Sequence, residues 1–89
     1  MLTLGATCAH AESIYCEFAI RAADSGALRG YSDKIIAQSL CVTARGAADA
    51  ANANDTRKLA YCLTATRHLL REFERRFPGR DSRSAHGKC

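Results

Sequence analysis

Five cysteines and three histidines are the side chains of this 89-residue chain with the widest chemical repertoire. Cys8, Cys16, Cys41, Cys62 and Cys89 stand at wide, irregular spacing, with no C-x-x-C and no paired framework. That pattern predicts free, inert thiols filling small gaps in a core, and with them a reducing, cytoplasmic setting. His10, His68 and His86 are dispersed along the chain. A structural zinc site draws its ligands as close pairs, and the loose grouping of Cys8, His10 and Glu12 points its side chains in different directions. The sequence therefore predicts no metal and no cofactor, and a thiol or metal sensor stands last among three functional readings.

Catalysis is disfavoured on similar grounds. A nucleophilic cysteine needs a base within reach of its thiol. His68 lies about one and a half turns beyond Cys62 and about 120° round the helix from it, too far to activate it. The Gly26–Gly30 stretch lacks both the G-x-x-x-x-G-K pattern and a preceding strand, so no phosphate loop is present. Asp24, Asp33, Asp49 and Asp55 fall at predicted helix ends, where they act as caps and dipole partners. The expectation is that this chain is not an enzyme.

Charge is the more informative chemistry. Residues 1–56 carry a net charge of −2 and residues 57–89 a net of +6, for +4 in total. Arg57, Tyr61, Thr64, His68, Arg71 and Arg75 recur at helical spacing on one side of the third predicted helix, with Arg67 flanking them. Arginine and tyrosine are favoured anchors of protein interfaces. Arg57, Tyr61, His68, Arg71 and Arg75 are accordingly the candidate partner-binding residues, and an acidic protein surface is the preferred partner. Nucleic acid is the alternative partner, because clustered arginines also attract phosphates. Against it, Glu72 and Glu74 interrupt the stripe, and no helix-turn-helix, zinc-finger or aromatic stacking pattern accompanies it. At helical spacing Glu72 can also pair with Arg75 and Arg76, which consumes charge locally.

The elements that must position these residues are three helix-compatible segments, with the only proline, Pro78, after all of them. The first runs from about Leu4 to Asp24, and its apolar residues Leu4, Cys8, Ala11, Tyr15, Phe18, Ala19 and Ala22 are spaced for one face. Gly26 is its natural stop. Ser32 is placed to cap the second, with Asp33 in its first turn and Ile36, Leu40, Thr43, Ala47 and Ala50 facing the core. A second stripe of Ile35, Val42 and Gly46 runs beside that face and is the candidate dimer interface. Asn54 or Asp55 caps the third helix. Its predicted core face is Leu59, Leu63, Thr66, Leu70, Phe73 and Phe77, with Cys62 and Leu69 at the edge. Pro78-Gly79 ends it.

Short connections make sequential helices antiparallel neighbours. The predicted fold is an all-α, up-down-up three-helix bundle over residues 1–77, followed by a disordered basic tail over residues 78–89. Alanine supplies much of the apolar content and buries little area per residue, so the bundle is thin and is expected to be completed by homodimerisation. Met1–Thr7 reads as neither a signal peptide nor a lipoprotein leader, and no apolar run is long enough to span a membrane. Richness in alanine and arginine is what a GC-rich bacterial or phage gene encodes. The expected function is a small cytoplasmic adaptor or inhibitor that acts by occluding or scaffolding a larger macromolecule.

Overall fold

The computed structural model describes residues 2–80, with side chains from residue 13 onward. Helix α1 spans Leu2–Ser25, a short 3-10 turn spans Ala27–Gly30, α2 spans Asp33–Asn52 and α3 spans Thr56–Arg76. There is no strand among the described residues.

The local signals that bound these helices act as their chemistry dictates. Gly26 takes the left-handed conformation, φ +80°, that closes α1. Ser32 Oγ accepts from the Ile35 amide at 3.2 Å, and Asp55 Oδ1 accepts from the Lys58 amide at 3.1 Å. Each satisfies an otherwise orphaned amide in a first helical turn. Between α2 and α3, Asn54 supplies a second left-handed residue, φ +56°. After α3 the Arg80 amide donates to the Phe77 carbonyl at 3.1 Å, across Pro78-Gly79. The expectation of a disordered tail falls, beyond Arg80, on residues outside those described.

Cross-helix contacts fix the directions. Thr66 Oγ1 donates to Thr43 Oγ1 at 2.9 Å, and Arg76 reaches Asp33 at 2.8 Å. The numbers fall on one helix as they rise on the other, so α2 and α3 are antiparallel. Cys16 faces Cys62, and Arg76 reaches the Leu28 carbonyl just past α1, so α1 and α3 run the same way. The fold is the up-down-up bundle.

The core contains Cys16, Ala19, Ala22, Leu28, Ile36, Leu40, Ala47, Cys62, Ala65, Leu69 and Phe73. On α2 the expected face of Ile36, Leu40, Thr43, Ala47 and Ala50 is buried throughout. Thr43 stays satisfied there because its hydroxyl donates to the Leu40 carbonyl at 3.2 Å while accepting from Thr66.

Two registers differ from expectation. On α3 the buried line is Cys62, Ala65, Leu69 and Phe73. Leu63, expected inside, is 45% exposed. On α1 Tyr15 and Phe18, also expected inside, are exposed, while Cys16, Ala19 and Ala22 point inward. One cause accounts for both changes. The helices meet through small side chains, which lets their backbones approach closely and turns the bulkier residues outward.

The cysteines are the third correction. Cys16 and Cys62 are both fully buried and form a disulfide, with Cα atoms 5.0 Å apart. Cys41 is disulfide-bonded as well. The expectation of free thiols is overturned. Ala19 and Ala65, one turn beyond the two cysteines and themselves buried, allow α1 and α3 the separation a disulfide requires. The bond links residues 46 positions apart, so local spacing carried no trace of it.

Candidate interaction site on the third helix

Helix α3 builds its outer face from the same periodicity that builds its inner one. With Cys62, Ala65, Leu69 and Phe73 turned inward, Arg57, Tyr61, Thr64, Arg71 and Arg75 are exposed, and His68 is half-buried beside them. All five predicted partner-binding residues therefore lie on one strip about five turns long. Arg57, Tyr61 and Thr64 join Ala60 and Ile20 of α1 around a shallow hollow of about 340 Å³. Arg57, Arg67 and Arg71 have no ion pair within the described residues.

Arg75 differs from its neighbours. Its Nη2 donates to Glu72 Oε2 at 2.6 Å and its Nε to Oε1 at 3.2 Å. Arg76 Nε donates to the same Oε2 at 2.7 Å. The Arg75 hydrogen bonds lower the Glu72 pKa most. Burial opposes them, the Arg76 hydrogen bond and both positive charges assist, and the result is about 2. The same bond to Glu72 raises the Arg75 pKa above its ordinary value. Arg75 thus commits two of its five N–H donors to Glu72, whereas Arg57, Arg67 and Arg71 have no ion pair among the described residues.

Local spacing alone does not reveal how enclosed Glu72 and Arg76 are. Arg76 is 12% exposed in its side chain and Glu72 8%. Arg76 bonds Glu72, Asp33 at the start of α2, and the Leu28 and Arg29 carbonyls. It clasps the end of α3 to the connection between α1 and α2. The local part of this cluster was legible as i,i+3 and i,i+4 pairing. Its burial depended on the tertiary fold.

The residues expected at a dimer interface separate in the structure. Ile35 is exposed, Val42 is half-buried and Gly46 is buried. The second stripe of α2 is thus covered within a single chain except at its Ile35 end. There Ile35 joins Tyr15, Phe18 and Tyr31 around a cleft between α1 and α2, a feature missed because both α1 aromatics were assigned to the core.

No group of three or more His, Cys, Asp or Glu side chains gathers at metal-binding distance among the described residues. None of the described helices is long and apolar enough to cross a membrane. His10 and His86 lie outside the described side chains. No known protein family matches the sequence, and neither a curated protein nor a solved structure is significantly similar to the chain.

Proposed function

We propose that this chain is a small non-enzymatic protein–protein interaction module, an adaptor or inhibitor that binds an acidic surface on a larger macromolecular partner through the outer face of α3. The observation that carries this reading is the exposed strip of Arg57, Tyr61 and Arg71. It combines two cations that have no ion pair among the described residues with an aromatic side chain half open to solvent. Nothing in the core requires such a set. His68 and Arg75 complete the strip, Arg75 with its charge already shared with Glu72. Binding of this kind works by occlusion or scaffolding and involves no bond chemistry in this chain.

The disulfides bear on where this happens. Disulfides persist in oxidising compartments and are rare in the cytosol. The reading therefore moves from the cytoplasm to an oxidising compartment. A thiol sensor loses support as well, because Cys16 and Cys62 are consumed in a buried bond.

The test is capture of a partner on the immobilised chain from nuclease-treated extract, compared between wild type and an Arg57→Glu, Arg71→Glu variant. The expected result is a protein retained by the wild type and lost with the variant. A partner lost on nuclease treatment alone would transfer the same arginines to nucleic acid. A protein retained equally by both chains would sink the reading.

A further inference from the structure

Among the described residues, four of the six exposed large apolar side chains, Ile14, Tyr15, Phe18 and Ile35, lie at or beside the opening between α1 and α2. Tyr15, Phe18, Tyr31 and Ile35 line a cleft there, with Leu69 of α3 among the lining residues. Its shape is held by the stacked rings of Phe18 and Tyr31, 6.0 Å apart and 26° from parallel. The cleft is about 190 Å³, below the ~300 Å³ at which small-molecule sites begin. It has room for one or two side chains and little else.

We propose that this face is the site at which two copies of the chain associate about a two-fold axis, Ile14 of each entering the cleft of the other. An isologous interface must present both a projection and a matching recess on one patch. Ile14 supplies the first. It is 59% exposed, one turn from Phe18, and is not among the residues that line its own cleft. The four side chains leave on the order of 400 Å² of apolar surface open, about half of the ~800 Å² each partner contributes to a standard interface and enough for its apolar centre.

Charge permits association through the same face. A second copy meeting the α3 strip face to face would set arginines against arginines. On the exposed part of α1, Glu17 and Arg21 neutralise each other at 2.7 Å, so two copies can approach without repulsion. The pairing leaves the α3 strips open, because their side chains emerge on the side of that helix turned away from Leu69. A dimer formed this way carries two identical basic faces. It is independent of whether those faces bind the proposed partner.

Sedimentation of the full chain across a micromolar concentration series tests the proposal, using wild type, Ile14→Glu, Ile35→Glu and Leu63→Glu, each first checked for helical circular dichroism. Leu63 is exposed on α3, away from the cleft, and serves as the control. The wild type and Leu63→Glu should form a dimer. Ile14→Glu and Ile35→Glu should each weaken it at least about tenfold, the effect of about 1.4 kcal/mol. A wild type that stays monomeric at high micromolar concentration overturns the proposal and leaves the cleft to a helix from another protein. So does a dimer that withstands both cleft substitutions, or one that Leu63→Glu disrupts equally.

Discussion

The Arg76 guanidinium and the Glu72 carboxylate meet at 2.7 Å near the end of α3, both largely withdrawn from solvent. Arg75 closes on the same carboxylate from the solvent side, and Arg76 continues to Asp33 and to the Leu28 carbonyl. One carboxylate thus holds two arginines, and one of those arginines ties the end of α3 to the start of α2 and to the connection that follows α1. A buried charge of this kind is costly unless its hydrogen bonds are met, and every buried polar side-chain atom described has a partner.

Acid should loosen this clasp. The Glu72 pKa falls from an ordinary 4.5 to about 2 in the folded chain. A depressed carboxyl contributes stability that is fully present above its unfolded value and lost as pH falls toward its folded one. The melting temperature should therefore drop between about pH 4.5 and pH 2, beyond what general acid effects produce. Glu72→Gln should cost about 1–3 kcal/mol at neutral pH, the penalty for leaving charged donors under-satisfied, and should flatten the acid dependence in that window. An identical acid profile for both chains would show that Glu72 is not the responsible group.

The same geometry separates two arginines that look equivalent in sequence. Arg71 is exposed and has no ion pair among the described residues, whereas Arg75 bridges to Glu72. Arg71→Glu should leave thermal stability within about 0.5 kcal/mol of wild type. Arg75→Glu should be clearly destabilising, because it removes the bridge and sets a second carboxylate beside a buried one. The charge-reversal probe of the α3 strip is therefore Arg57 with Arg71. Equal melting points for Arg71→Glu and Arg75→Glu would remove the distinction.

Legibility followed side-chain size. On α2, large residues at Ile36 and Leu40 begin the buried face, and the small residues that continue it follow the same phase, so the face can be read directly. The caps at Ser32 and Asp55 were also legible, since their chemistry is local. On α1 and α3 the inward line is built largely from cysteine and alanine, and a size-weighted pattern assigns the core to Tyr15, Phe18 and Leu63 instead. Cysteine followed three positions later by alanine occurs at Cys8, Cys16, Cys41 and Cys62 alike, so this spacing does not single out the bonded pair. The α3 strip stays on the outside despite the shifted register, because it lies far enough from either version of the core face.

The Cys16–Cys62 bond should be found by non-reducing peptide mapping of protein prepared under oxidising conditions, as linked peptides from α1 and α3. In the chain-entropy account, cross-linking residues this far apart destabilises the unfolded ensemble. Cys16→Ala with Cys62→Ala should lower stability by about 2–5 kcal/mol, the range for losing a native disulfide from a small domain. Quantitative alkylation of both cysteines in the unfolded, unreduced protein would show the bond to be absent.

Core register gives the sharpest test of the packing. Leu69 is almost fully buried and Leu63 is nearly half exposed, although they are six positions apart on the same helix. Truncating Leu69 removes its transfer energy and leaves a cavity between the helices, for a cost of about 2–5 kcal/mol. Truncating Leu63 removes a side chain that already contacts water on one side, and should cost less than about 1 kcal/mol. Phe73→Ala should resemble Leu69→Ala, at about 3–5 kcal/mol. Denaturant unfolding of the three variants reads these differences directly, provided the disulfides stay intact throughout. If Leu63→Ala proved as damaging as Leu69→Ala, α3 would be turned by roughly a third of a revolution from the orientation described, since six positions place the two leucines about 120° apart on a helix. The Arg57–Arg71 strip would then turn with it, and the separation between structural and partner-facing residues on α3 would have to be redrawn.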